Sequence, residues 1–134
     1  MKHSLLALAI MCVTVGPALA QEGSASLNPT GQLLAKGAAA RISVSVSCPA
    51  GYEGYVFADC NQRTGRRLNN AYGSTNLTCL GGEAQTVEIT LRPYNEPLKR
   101  GDLFCTAGLS ACNADFSDCV DVIDEGVVKL TSGN

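Results

Sequence analysis

Six cysteines follow residue 20: Cys48, Cys60, Cys79, Cys105, Cys112 and Cys119. What they do depends on the compartment the chain folds in, and the first residues speak to that. Lys2 and His3 give a short positive flank, Leu5 to Val15 is an apolar run, and Ala18-Leu19-Ala20 is a small-x-small cleavage pattern before Gln21. The reading is a signal peptide over residues 1–20, a flexible N-terminal tail over 21–26 and one domain over 27–134. An exported chain is secreted or periplasmic, and there thiols oxidise and pair. No C-x-x-C occurs, and neither Cys60 to Cys79 nor Cys112 to Cys119 has zinc-ribbon spacing. All six cysteines are therefore expected in structural disulfides, with no metal and no cofactor.

Composition narrows the function. The formal net charge is -2, and loss of Lys2 with the leader makes the product slightly more acidic. Such a balance argues against nucleic acid or an anionic membrane as partner. No second apolar run approaches the ~18 residues of a membrane span, so no stable insertion is expected after cleavage. The single His is His3, both Met are Met1 and Met11, and Trp is absent. Beyond the leader there is no imidazole for a Ser-His or Cys-His pair and none to ligate a metal. The expectation is a protein that is not an enzyme.

Alternation of apolar and polar residues is the main structural signal. In the segment 40–48, Ile42, Val44, Val46 and Cys48 share one face, while Arg41, Ser43, Ser45 and Ser47 share the other. In 84–92, Val87, Ile89 and Leu91 alternate with Glu88, Thr90 and Arg92. These are half-buried antiparallel strands. Further extended pieces are read at 27–36, 54–62, around 66–78, 102–109 and 126–131, separated by Gly, Pro and Asn turns. About seven short strands without a helical stripe predict an all-β, antiparallel sandwich stabilised by disulfides.

The layout SVSCPAG, VFADCNQ, NLTCLGG, QTVEITL and GDLFCTAG resembles the immunoglobulin-like β-sandwich domains of small secreted bacterial proteins of unassigned function. The likeness covers residues 27–131. In such a sandwich the second strand neighbours the fifth and the third neighbours the sixth. That arrangement favours bridges 48–79, 60–105 and 112–119. The pair 48–105 with 60–79 is the main alternative, and a local 105–112 bridge is a third.

Candidate functional residues cluster in loops. Asp115, Asp118, Asp121, Asp124 and Glu125 form an acidic run without the D-x-[DN]-x-[DN]-G pattern of a calcium loop. Arg63, Arg66, Arg67, Lys99 and Arg100 form a basic set expected at the opposite end of the domain. Tyr52 and Phe116 are expected at the acidic end, where loop aromatics serve binding surfaces. The resulting expectation is a non-catalytic binding or interaction module. It would contact a protein or cell-envelope partner through Tyr52, Phe116, Asp115 and Asp118. The alternative is a secreted inhibitor or small-ligand carrier presenting the bridged loop 112–119, which is ordered before binding.

Overall fold

The computed structural model describes residues 23–133. The signal peptide and the first two residues of the expected tail lie outside the described residues. Eight strands follow in order: β1 (Ser24–Leu27), β2 (Thr30–Leu34), β3 (Ala39–Ser47), β4 (Glu53–Thr64), β5 (Arg67–Thr78), β6 (Gln85–Pro93), β7 (Gly101–Cys112) and β8 (Cys119–Ser132). Part of the expected tail is thus structured: Ser24 to Ser26 pair antiparallel with Ser45 to Ser47, and Leu27, the first residue of the expected domain, continues the ladder to Val44. Ala25 and Leu27 also pack on the core.

The expected immunoglobulin-like sandwich is not what forms. β3, β2, β8, β7, β4, β5 and β6 are neighbours in that order, and β6 returns to β3, closing a seven-stranded barrel. β3 does neighbour β6, and β4 does neighbour β7, as a sandwich also requires. The difference lies in β5. It pairs along its whole length with β4, then joins β6 through Ala71↔Pro93 and Tyr72↔Arg92. The Tyr94 N–H donates to the Asn70 carbonyl (2.9 Å), and the Thr75 hydroxyl donates to the Glu88 carbonyl (3.0 Å), extending the seam on both sides. Small residues make this closure sterically feasible. Ala71 is fully buried, and a Cβ on Gly73 would overlap the Thr90 carbonyl oxygen.

On the other side of β3, one wall position is shared by two strands. β1 covers the end of β3 near Ser47, and β2 covers the end near Ala39. Between them Asn28 Oδ1 accepts from the Thr30 N–H (3.1 Å), and Pro29 has no N–H to offer a ladder. After this kink β2 also runs parallel to β8, with Thr30↔Lys129 and Leu33↔Ser132 in register. β1 has no ladder to β8; instead Asp124 Oδ2 accepts the Leu27 N–H at 2.8 Å.

The interior is filled by aliphatic side chains, chiefly Ile42, Ile89, Leu91, Leu103, Leu109 and Leu130, all almost fully buried. Ile42, Val44, Val46 and Cys48, then Val87, Ile89 and Leu91, then Leu103, Cys105 and Ala107, face inward in the expected phase. Three disulfides add covalent closure: Cys48–Cys79, Cys60–Cys105 and Cys112–Cys119. Cys60 and Cys105 are directly opposite on β4 and β7, inside the barrel. In the chain-entropy picture the longest of these loops contributes about 4 kcal/mol and the shortest about 2 kcal/mol. Such bridges fit an oxidising, extracellular environment. Among the described residues no helix is long and apolar enough to cross a membrane.

One end of the barrel is plugged. The β2–β3 connection, Ala35–Gly37, is a left-handed turn with φ of 47°, 56° and 89° at Ala35, Lys36 and Gly37. A Cβ at Gly37 would collide with the Leu98 carbonyl, whereas the Leu98 N–H donates to the Gly37 carbonyl at 2.8 Å. Leu98 itself is buried and seals this end.

Closure through the small residues of β5 is open to a direct test. Gly73→Val should lower unfolding stability by about 1–3 kcal/mol through overpacking against β6. In hydrogen exchange, the loss of protection should be greatest at the β5–β6 seam. Unchanged stability would show that the seam does not need glycine.

Candidate functional site

The antiparallel ladders send the two kinds of loop to opposite ends, and with them the charge. Arg41 lies near the start of β3, Arg63 near the end of β4 and Arg67 starts β5, while Arg92 and Lys129 lie near the ends of β6 and β8. The remaining cations, Lys36, Arg66, Lys99 and Arg100, stand in turns at that same end. Among the described residues, no Lys or Arg stands at the opposite end, which carries Glu53, Glu83, Asp115, Asp118 and Asp121. The anions at or beside the basic end are Glu96, paired with Arg67 at 2.6 Å, Glu88, paired with Arg41 at 3.8 Å, and Asp102.

The acidic run of the sequence is divided by β8. Asp115 and Asp118 remain in the loop; Asp121 and Glu125 are exposed on the strand. Asp124 turns the other way and holds Leu27. The connection from β7 to β8 is therefore much shorter than expected, spanning residues 113–118 above the Cys112–Cys119 bridge.

That short loop is tightly organised. The Asn113 N–H donates to the Asp118 carbonyl (3.0 Å), and Asn113 Oδ1 accepts from the Asp118 N–H (3.1 Å). Asp115 Oδ1 accepts from both the hydroxyl (2.7 Å) and the N–H (3.2 Å) of Ser117. These Ser117 bonds, the side-chain one first, hold the Asp115 carboxyl below its ordinary value. The Tyr52 hydroxyl donates to Asp118 Oδ2, tying the loop to the β3–β4 connection. Losing that proton would place a phenolate against a carboxylate. The hydrogen bond, then burial and the nearby charges of Asp118 and Asp115, raise the Tyr52 phenol above its ordinary value. The Tyr52 ring packs on the core, and its carbonyl accepts the Cys79 N–H at 2.7 Å, beside the Cys48–Cys79 bridge.

Phe116 is the exception to this inward economy. The residue is 78% exposed, and its backbone is left-handed at φ 58°. For a residue with a Cβ that conformation costs about 1–2 kcal/mol. Tyr52, Asp115, Asp118 and Phe116 are thus brought to one end, but in different roles. Tyr52 and Asp118 form a tether, Asp115 shapes the turn, and Phe116 is the group presented to the outside.

At the opposite end lies an open depression of about 370 Å³, whose lining includes Arg63, Lys99, Arg100, Asp102, Thr64 and Phe104. Its wall is rigid because of a buried amide the sequence did not announce. Gln62 accepts from the Lys99 N–H and donates to the Lys99 carbonyl, each at 2.7 Å. Buried Asn69 similarly donates to the Glu96 carbonyl at 2.5 Å. In sequence Gln62 closes the extended piece 54–62 and Asn69 falls in the one around 66–78, and neither is assigned a face. The missed signal is that each continues the inward phase of its strand.

No protein-family model matches the chain, and no curated protein sequence matches it. What fold and site define is a disulfide-bonded, seven-stranded barrel whose two ends carry opposite charge.

Because the Tyr52 pKa is raised, the tether's stabilisation is complete below the ordinary phenol value and disappears as pH rises through the raised one. Tyrosinate absorbance should therefore show a final step above the ordinary value, and Asp118→Asn should remove that step. An unchanged titration in the variant would show that Asp118 does not hold Tyr52.

Proposed function

We propose that the protein is a non-catalytic binding module, exported to the periplasm or beyond the cell, that engages its partner through the 113–118 loop. Phe116 is the anchor of the contact, and Asp115 and Asp118 set its polar surroundings. The observation that carries this reading is the exposed Phe116 ring on a left-handed backbone. The surrounding loop is fixed by a disulfide and by hydrogen bonds at each side. A strained, exposed aromatic on an otherwise economical loop is the kind of feature that binding explains and folding does not. The loop is ordered beforehand, so little conformational freedom is lost on contact.

The same loop favours, as a second reading, an inhibitor whose rigid tip enters a partner's cleft. Carriage of a small ligand inside the barrel is disfavoured by the aliphatic side chains that occupy the interior. A protein or cell-envelope partner suits the leading reading, and a hydrolase suits the second.

Two measurements separate function from folding at this residue. Phe116→Gly relieves the backbone, so it should raise stability by up to about 1 kcal/mol while abolishing partner capture. A photo-crosslinking residue at position 116, in cells exporting the protein, should give a discrete adduct that the same group at exposed Asn76 does not. Equal adducts at both positions, or undiminished capture by Phe116→Gly, would remove the loop as the contact surface. Loss of a target hydrolase's activity, dependent on Phe116, would select the inhibitor reading.

A further inference from the structure

The two ends of the molecule match one another. One end offers a projecting loop with an exposed ring flanked by Asp115 and Asp118. The other offers an open depression with Arg63, Lys99 and Arg100 around it, Asp102 as its one carboxylate, and the half-exposed Phe104 in its wall. The depression is built in advance, because the Gln62 amide fixes the backbone that carries Lys99 and Arg100. We propose that the 113–118 loop of one copy seats in the Arg63–Lys99–Arg100 depression of another, head to tail. The inference rests on the reading of that loop as a contact surface, and names a second copy of this chain as its partner.

Three arguments favour a second copy. First, both halves of a complementary contact are on the same chain: carboxylates on the loop, and around the depression the cations of Arg63, Lys99 and Arg100, which outnumber the one carboxylate there, Asp102. Second, the apolar elements correspond, since Phe116 would meet the Phe104 ring in an offset or edge-on contact. Third, the long-range field has the right sign. With the cations at one end and the anionic loops at the other, copies approaching end to end attract, while copies side by side in the same direction repel. Loop and depression lie at opposite ends, so the contact is heterologous and leaves a free loop and a free depression on each pair. Growth is then open, into short chains, and does not stop at a dimer.

The test uses the intact exported protein in sedimentation velocity over a range of concentrations. Wild type should form concentration-dependent chains at low salt that dissociate as salt screens the contact. Two double variants each disable one end: Lys99→Ala with Arg100→Ala, and Asp115→Asn with Phe116→Gly. Each alone should self-associate about thirtyfold or more weakly than wild type. Mixed, the first still has its loop and the second its depression, so they should form a one-to-one dimer that grows no further. Such a capped dimer is expected of a heterologous contact only. Wild type that stays monomeric at low salt overturns the proposal. In that case a Phe116-dependent adduct with a different protein would still leave the loop as a contact surface. Association that survives in either double variant, or a mixture that gives no dimer, also overturns it. So would a basic end that binds anionic phospholipid vesicles through Lys99 and Arg100 with no self-association.

Discussion

The pairing that closes β5 and β6 back onto β3 is the constraint on which the rest depends. In an open sheet, edge strands present unpaired N–H and C=O groups that attract other chains. Here the central strands find partners on both sides, and the wall offers recognition little beyond side chains. The barrel is packed solid with aliphatic groups, so its interior offers nothing either. What remains for selective contact is the loops at the two ends. Closure thereby converts a question about the whole surface into one about two small regions.

Those regions are made differently. The acidic end gains its rigidity from short-range means: a disulfide across adjacent strands, an Asx bond at Asp115, the Asn113 side chain across the loop's base and the Tyr52–Asp118 tether. The basic end relies on buried amides that reach from strands into a longer connection, with Leu98 as its apolar seat. Both designs achieve the same result. Side chains with many rotamers, such as Lys99 and Arg100, extend from backbone that does not move with them. Charge sorting follows from topology, because antiparallel strands deliver alternate connections to alternate ends.

Much of the wall was legible in the sequence, and the reasons are local. The alternations through Ile42, Val44 and Val46 and through Val87, Ile89 and Leu91 are strong because every inward position is branched and apolar. The cysteine pairs followed from strand neighbours that a sandwich and a barrel share. What separated the two architectures was illegible, because it rests on two residue pairs and on the smallness of Ala71 and Gly73. Along β5 the inward positions are Asn69, Ala71 and Gly73, whereas Leu68 and Tyr72 point outward, so the usual hydrophobic period is inverted. Ser24 to Ser26 read as a tail because the sequence there is small and polar; their order comes from the β3 edge, and that of Leu27 beside them from Asp124 as well. The acidic run looked like one cluster, yet alternation along β8 sent Asp124 to the opposite face from Asp121 and Glu125. Tyr52, Asp115, Asp118 and Phe116 do share an end, but sequence could not foresee that three of them serve the loop and one serves the exterior.

The parallel pairing of β2 with β8 has a mechanical meaning. The chain enters β2 at Thr30, opposite Lys129, and leaves β8 past Ser132, opposite Leu33. A pull on the chain before β2 and after β8 therefore acts along both strands in opposite senses. The bonds between them are loaded together, in shear, and not opened one at a time like a zipper. The antiparallel contact of β1 with β3 lies outside that clamp and can yield first, releasing slack while the barrel stays closed. A molecule with this wiring is suited to remain folded while it is held taut between two attachments.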